Sequence, residues 1–305
     1  MSRLPFNNFF RTATGNSPYD YQCRIACGPE ADCDTPETLH NDIDCRSQLI
    51  NIPTGLGKTA AVVLAWLWNR GRSQNLKWPR RLIYCLPMRT LVHQTEREAS
   101  RWLTNLWNKA DELGLSGGAK QELRWLVEHS PIILMGGEET DRDWDVWPER
   151  PAILIGTQDM LLSRALNRGY GMSRYRWPMD FGLLNNDALW VMDETQLMGV
   201  GVETSAQLDG LRHDAKMPTF GLCPTWWMSA TLDSSRLATV DHPQPSDAWT
   251  SIRLERDDLS RDDVKARVRA RKHLARCDII LSASTKNNYA KKLAEWVSKQ
   301  HQTDS

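Results

Sequence analysis

The residues best suited to chemistry stand in one glycine-containing stretch, Ile52-Pro53-Thr54-Gly55-Leu56-Gly57-Lys58-Thr59. An apolar run at 48–52 leads into this stretch, and a second apolar run at 60–68 follows it. A strand, a tight loop ending in Gly-Lys-Thr and a helix form the context of a phosphate-binding loop. Because Ile52 occupies the position of the usual first glycine, the alternative is a glycine-rich turn that ends by chance in Lys-Thr.

The backbone and the side chains of this loop have different predicted tasks. Gly55 and Gly57 allow backbone N–H groups to approach a phosphate closely, and the start of the helix adds partial positive charge. Lys58 can reach the β- and γ-phosphates, while the Thr59 hydroxyl can hold Mg²⁺. Together with Thr54, these residues are predicted to bind ATP and Mg²⁺.

Two adjacent carboxylates, Asp193 and Glu194, follow the apolar run 188–192. In a phosphate-loop enzyme, the first can hold Mg²⁺ against the β- and γ-phosphates, and the second can orient and polarise the attacking water. We therefore predict that Lys58, Asp193 and Glu194 are catalytic and that Thr59 and Asp193 bind the metal. The alternative is a solvated Asp-Glu pair at the start of a loop.

Small and basic polar residues follow three other predicted strands. Ser229 and Thr231 come after the run 225–228, where their hydroxyls could couple a nucleotide pocket to a second site. Phosphate contacts to a nucleic acid strand are predicted for Arg89, Thr90, Gly156 and Thr157. Helix capping is an equally good explanation for the two threonines of this second set.

A glutamine upstream of the loop is a candidate for recognising a base. Tyr19 precedes Gln22 in a polar, turn-rich stretch. The amide of Gln22 offers both a donor and an acceptor, which suits the edge of adenine. An ordinary surface glutamine is the alternative.

The elements that must position these residues alternate between strands and helices. This alternation predicts an α/β fold with a doubly wound parallel sheet, whose ligands bind beyond the carboxyl ends of the strands. Every candidate residue within 48–232 follows the carboxyl end of a predicted strand. The predicted strands cover 48–52, 81–86, 131–135, 152–155, 188–192 and 225–228.

Segments outside this alternation suggest further divisions of the chain. Residues 1–47 form an N-terminal segment, and 48–232 form the main domain. The remainder is predicted to be a linker with a basic helix at 261–276 and the start of a second domain, with a strand at 278–281 and a helix at 286–299. The four predicted divisions are 1–47, 48–232, 233–276 and 277–305.

Composition sets weaker bounds on function. The 38 basic and 38 acidic residues cancel, so the net charge neither favours nor excludes nucleic acid. Core packing is favoured over base stacking for most of the 14 tryptophans. The sequence lacks an apolar run of about 18 residues, so we predict no membrane contact and a cytoplasmic location.

Four of the seven cysteines stand close together near the N-terminus. Their spacing does not match the paired pattern of a zinc site, and an odd total argues against a secreted disulfide framework. Free thiols are therefore favoured over a metal site at Cys23, Cys27, Cys33 and Cys45.

In order and spacing, these motifs resemble the first RecA-like lobe of a superfamily 2 helicase across about residues 17–232. The matching segments, from the adenine-recognising glutamine motif to the coupling motif, are 19–22, 53–59, 86–91, 156–159, 193–196 and 229–231. Gln196 departs from the usual His or Asp of the DEAD/DEAH motif. We expect its amide to hydrogen-bond across to the motif at 229–231 or to the γ-phosphate.

Two longer stretches, 156–171 and 192–208, resemble the helicase–nuclease of type I CRISPR systems, in particular subtype I-U, also called I-G. The resemblance implies ATP-driven 3′→5′ translocation on single-stranded DNA, recruitment by a guide-RNA surveillance complex and degradation of target DNA. It covers the ATPase lobe and part of the DNA track. The family's second lobe with its arginine finger, and its His/Asp nuclease, are expected beyond Ser305.

This expectation implies weak ATP binding and slow hydrolysis by the 305 residues alone, because an arginine finger contributes about 10³- to 10⁵-fold to the rate. Two alternatives stay open at this point. One is another superfamily 2 translocase, acting in restriction or repair. The other is a non-catalytic ATP-binding module.

Overall fold

The computed structural model of the chain describes residues 5–29, 33–34, 43–137, 141–231, 234–240, 249–270, 276–277, 279–282, 284 and 286–303. Within them, seven strands form one sheet in which every neighbouring pair is parallel, in the order β3-β4-β2-β5-β6-β1-β7. The predicted doubly wound parallel sheet is confirmed. The strands are β1 (Gln48–Asn51), β2 (Arg81–Leu86), β3 (Ile132–Leu134), β4 (Ala152–Thr157), β5 (Ala188–Met192), β6 (Thr225–Ser229) and β7 (Thr250–Arg253).

Helices of the unit that contains the sheet cover both of its faces. The described helices of the whole chain are, in chain order, α1 (Phe6–Thr14), α2 (Asp20–Cys27), α3 (Lys58–Trp66), α4 (Arg89–Asn108), α5 (Gly117–His129), α6 (Asp143–Val146), α7 (Gln158–Ala165), α8 (Trp177–Leu184), α9 (Gly201–Arg212), α10 (Arg256–Ser260), α11 (Asp262–Val268) and α12 (Tyr289–Thr303). A π-helical turn, Leu67–Arg72, extends α3. None of the described helices combines the length and hydropathy needed to cross a bilayer.

The central strands are buried along their whole length because helices cover both of their faces. Alternate side chains of β2 therefore enter two different apolar cores. Leu82 and Tyr84 belong to the core that also contains α3 and α4. Ile83 and Cys85 belong to the core on the opposite face. Tyr84 thus lies on the same side of the sheet as the helix that follows the glycine loop.

The described part of the N-terminal segment contains two helices that its polar sequence did not predict. Both α1 and α2 bury an apolar face, because Phe6, Phe9 and Phe10 of α1, and Tyr21 and Ile25 of α2, recur at helical spacing. Phe6 and Phe9 pack edge-on against Trp68, with ring centroids 5.5 and 5.3 Å apart, respectively. This packing attaches the segment to the extension of α3.

The structure also differs from the prediction near the C-terminal end of the main sheet. Strand β7 falls in the predicted linker and pairs with β1 at the edge of the sheet. Its side chains are mostly exposed, so its sequence lacks the apolar run of a central strand. The predicted basic helix is shortened to α11, and residues 271–275 lie outside the described residues.

The residues from 266 onward form a second compact unit. Helix α12 agrees with the helix predicted at 286–299. The strand predicted at 278–281 is wrong for its described part, since 279–281 carry no strand pairing. An isolated strand has no partner for its backbone hydrogen bonds, which explains the difference. Asp278 lies outside the described residues.

The cysteine prediction also needs correction. Cys23 and Cys33 form a disulfide, with their Cα atoms 5.7 Å apart, which is an ordinary separation for such a bond. Cys27 and Cys45 are buried thiols. No cluster of metal-ligating side chains occurs within the part of the chain that the structure describes, so the metal alternative gains no support.

Asp258 of α10 attaches this helix to α2. Its carboxylate is fully buried and accepts hydrogen bonds from the backbone N–H groups of Tyr21 (2.8 Å) and Glu255 (2.9 Å). The same carboxylate forms an ion pair with Arg24, with N and O atoms 2.7 Å apart. Asp258→Ala is expected to lower the free energy of unfolding by about 3 kcal/mol, because it leaves two backbone N–H groups without their acceptor and removes the nearer of the two carboxylates paired with the mostly buried Arg24.

Chemical denaturation of the variant measures this loss. Asp257→Ala is the matched control, since the neighbouring Asp257 is exposed, and we expect it to change stability by no more than about 0.5 kcal/mol. Equal losses for the two variants would contradict the anchoring role of Asp258.

Candidate nucleotide-binding site

The glycine loop connects β1 to α3, as the sequence predicts. Gly55 and Gly57 adopt left-handed backbone angles, with φ of +81° and +75°. A Cβ atom on Gly57 would lie 2.9 Å from Nε2 of Gln22, so a larger residue would also collide. Leu56 between them is fully buried and attaches the loop to the core. The loop therefore requires glycine at both positions.

Lys58, the first residue of α3, connects the loop to the carboxylate pair. Its ammonium group is largely buried, although a buried charge is costly without partners. The Nζ atom donates to the backbone oxygen of Ile52 at 3.2 Å and lies 3.8 Å from Oε1 of Glu194. The two predicted halves of the site are thus neighbours at one edge of the sheet.

Asp193 follows β5 and is held through both of its carboxylate oxygens. Oδ1 accepts the backbone N–H of Glu194 at 2.8 Å, and Oδ2 accepts the hydroxyl of Tyr84 at 2.7 Å. Burial raises the pKa of the Asp193 carboxyl, and the Tyr84 hydrogen bond opposes this rise. The same Tyr84 oxygen lies 3.3 Å from Oγ1 of Thr59. Burial and the nearby Asp193 raise the pKa of Tyr84 well above its usual value.

Glu194 has a strained backbone. Its φ of +54° lies in the left-handed region, which is unfavourable for a residue other than glycine. Such strain is often found at functional sites. This conformation directs the chain into a short 3₁₀ turn, Thr195–Leu197.

A chain of hydrogen bonds leads from Glu194 to the end of β6. Nε2 of Gln196 donates to Oε2 of Glu194, and Oγ of Ser229 donates to Oε1 of Gln196 at 2.6 Å. Ser229 Oγ also accepts the backbone N–H of Thr231 at 3.0 Å. The expected contact from Gln196 to the segment 229–231 is present. Thr231 takes part through its backbone, while its side chain is exposed.

Gln22 lies behind the loop rather than in the cavity. Its Oε1 accepts the backbone N–H of Tyr19 at 2.8 Å, and its Nε2 donates to the backbone oxygen of Gly57 at 2.9 Å. Tyr21 likewise donates its hydroxyl to the backbone oxygen of Leu56 at 2.6 Å. In this structure α2 therefore supports the loop, and the adenine contact of Gln22 stays a prediction.

A cavity of about 270 Å³ opens in front of the loop. Helix α4 contributes polar side chains that the sequence analysis did not identify, among them Gln94 and Glu98. Their spacing of four residues, which places them on one face of the helix, is the only sequence signal for them. The cavity is lined by Thr54, Gly55, Gly57, Lys58, Thr59, Leu86, Leu91, Gln94, Thr95, Glu98, Asp193 and Glu194.

The chemistry of this lining fits a nucleotide with its metal. Left-handed glycines direct backbone N–H groups outward, and a helix start and an ammonium group add positive charge. The Thr59 hydroxyl and the Asp193 carboxylate are hard oxygen donors of the kind that Mg²⁺ prefers. The residues present therefore suit a triphosphate and one Mg²⁺.

The predicted nucleic-acid residues lie at the ends of β2 and β4. Arg89 and Thr90 are exposed at the start of α4. Thr157 is paired in register with Leu86 and precedes α7, but its hydroxyl makes no capping hydrogen bond. Gly156 is buried, and a Cβ there would lie 2.5 Å from the backbone oxygen of Leu134. Packing explains why glycine is required at 156, and all four residues stay predicted phosphate contacts.

The fold and the site together define an ATPase-type domain with a phosphate loop and an acidic pair. Over residues 36–240 the chain matches the DEAD/DEAH box helicase family, and it belongs to that family. No curated protein matches the chain.

Solved structures with a similar fold include several helicases. The DUF1998 helicase MrfA bound to DNA is 14% identical, with a TM-score of 0.50 over 82% of this chain and 29% of that one. Lhr of Mycobacterium smegmatis, bound to single-stranded DNA and AMP-PNP, is 18% identical, with a TM-score of 0.48 over 81% and 27%. Yeast Prp28, a DEAD-box splicing factor, is 19% identical, with a TM-score of 0.46 over 82% and 48%. The chain thus spans less than half the length of each.

Proposed function

We propose that the chain is the ATP-hydrolysing lobe of a DNA helicase or translocase in type I CRISPR antiviral defence. Family membership supports ATP hydrolysis. The observation that carries the proposal is that the glycine loop and the acidic pair meet. Nζ of Lys58 lies 3.8 Å from Glu194, and the side chains of Thr59 and Asp193 both contact the hydroxyl of Tyr84. The CRISPR assignment is supported by the sequence resemblance of 156–171 and 192–208.

The residues of the site divide the proposed reaction among them. Bound Mg²⁺ would neutralise charge on the β- and γ-phosphates, with Thr59 and Asp193 as its holders. Lys58 places its ammonium against the same phosphates, and the N–H groups around Gly55 cradle them. Glu194 orients the attacking water and accepts its proton. Gln196 and Ser229 then transmit the state of Glu194 to the neighbouring strand end.

Single-stranded DNA is the proposed track, and a guide-RNA surveillance complex is the proposed partner. Arg89, Thr90 and Thr157 would contact the phosphates of the strand, because such contacts position a nucleic acid without reading its sequence. A cytoplasmic location belongs to the same proposal.

The test compares ATP turnover by the 305-residue chain alone, with single-stranded DNA, with RNA and with a purified type I guide-RNA complex. Stimulation by DNA and co-purification with the guide-RNA complex are the expected results. Stimulation by RNA alone would overturn the DNA assignment. Turnover that responds to DNA without any binding to the complex would favour a restriction or repair translocase.

Coupling through Ser229 can be tested separately. Ser229→Ala removes the hydroxyl that donates to Gln196, so we expect about a tenfold loss of DNA stimulation with unchanged ATP affinity. The stimulation is measured as the ratio of steady-state ATP turnover with DNA to turnover without DNA. Ser260→Ala, which removes an exposed hydroxyl, is the control and should leave the ratio unchanged. A normal ratio in Ser229→Ala would contradict the coupling role.

A further inference from the structure

We infer that Tyr84 is a positioning residue for the metal-binding pair, because its hydroxyl joins Thr59 to Asp193. This inference rests on the proposed ATP·Mg²⁺ site and adds a residue that the sequence motifs do not contain. Tyr84 stands in the middle of β2 and is fully buried. It reaches the site because its side chain shares a face of the sheet with α3.

The two contacts of the hydroxyl fix the direction of its hydrogen bonds. Tyr84 has one phenolic proton, and the Asp193 carboxylate can only accept. The contact to Asp193 Oδ2 is 2.7 Å, against 3.3 Å to Thr59 Oγ1, so the proton points to the carboxylate. The hydroxyl of Thr59 is then the donor to the tyrosine oxygen. The result is an ordered chain from Thr59 through Tyr84 to Asp193.

This order prepares both side chains to bind a cation. With its proton directed to Tyr84, Thr59 keeps its oxygen lone pairs available to a ligand. Asp193 is restrained at Oδ2 by Tyr84 and at Oδ1 by the backbone N–H of Glu194. Hydrogen bonds that orient metal ligands in this way affect affinity, and their loss costs about 10- to 100-fold.

Core packing alone does not account for the tyrosine. Phenylalanine would fill the same apolar space without a buried hydroxyl that needs partners. Both hydrogen-bond partners of Tyr84 are side chains that we assign to the metal. The chain also supplies a matched comparison, since Tyr21 is fully buried and donates its hydroxyl to the loop at Leu56 rather than to a metal-binding side chain.

The experiment measures the affinity of the 305-residue chain for a fluorescent ATP analogue, once with Mg²⁺ and once with EDTA. For Tyr84→Phe we expect the gain in affinity caused by Mg²⁺ to fall by about tenfold, with affinity in EDTA unchanged. For Tyr21→Phe any loss should be equal in the two conditions, because that hydroxyl supports the loop backbone. Thermal unfolding verifies that each variant is folded.

Two outcomes would overturn the inference alone: an unchanged effect of Mg²⁺ in Tyr84→Phe, or an equal loss with Mg²⁺ and EDTA. Absence of nucleotide binding by the unsubstituted chain would instead overturn the proposed function, and this inference with it. If Tyr84→Phe is unstable, Asp193→Asn provides a second test. It should remove most of the Mg²⁺ effect, and a normal effect of Mg²⁺ in this variant would contradict the pair that Tyr84 is inferred to position.

Discussion

Lys58→Ala is expected to lower the affinity of the chain for ATP·Mg²⁺ by about 100-fold and to remove turnover. The ammonium group of Lys58 is the buried positive charge at the mouth of the loop, where its present partners are a backbone oxygen and Glu194. Charge-assisted hydrogen bonds to phosphate contribute about 1.5–3 kcal/mol each, and the loss of one or two corresponds to the expected factor. Titration with a fluorescent ATP analogue measures the change.

A matched control separates this effect from the general loss of a lysine. Lys77 pairs with Asp44 at the surface, with N and O atoms 3.2 Å apart, and it does not line the cavity. Lys77→Ala should leave nucleotide affinity unchanged. Retention of normal affinity and DNA-stimulated turnover in Lys58→Ala would refute the assignment of the loop.

Glu194→Gln is expected to reduce ATP turnover by about 10³-fold while ATP·Mg²⁺ affinity changes only a few-fold. Glutamine preserves the size of the side chain, but it removes the carboxylate that accepts the proton of the attacking water, and a general base contributes about 10²- to 10⁴-fold. Single-turnover hydrolysis with the variant in excess over ATP measures the chemical step directly.

Glu203→Gln is the control for this substitution. Glu203 lies on α9 and forms an ion pair with Arg236, with N and O atoms 2.7 Å apart, and it does not line the cavity. We expect normal turnover for that variant. If Glu194→Gln hydrolysed ATP at the rate of the unsubstituted chain, the carboxylate would have no role in catalysis.

The sequence predicted the centre of the fold better than its edges. The strands at 81–86 and 188–192 have the predicted bounds, because strands buried on both faces appear as uninterrupted apolar runs. Strand β7 was missed, since an exposed edge strand carries no such run. Helices α1 and α2 were missed because both are short, and prolines and polar residues interrupt the few apolar side chains that they bury.

The candidate site shows a similar division. The loop at Lys58 and the pair at Asp193 could be placed together from the rule that strand carboxyl ends share one edge. Tyr84 could not be found, since a tyrosine within an apolar strand fits core packing equally well. The support of the loop by Gln22 and the tight packing at Gly156 depend on contacts between distant segments, which spacing along the chain does not encode.

The most direct measurement is a crystal structure of the chain with Mg²⁺ and AMP-PNP. We expect the phosphates to lie against the backbone from Thr54 to Lys58. The proposed site also requires one Mg²⁺ between the Thr59 hydroxyl and the Asp193 carboxylate. Nucleotide bound elsewhere on the sheet, or a metal held away from both of these side chains, would contradict it.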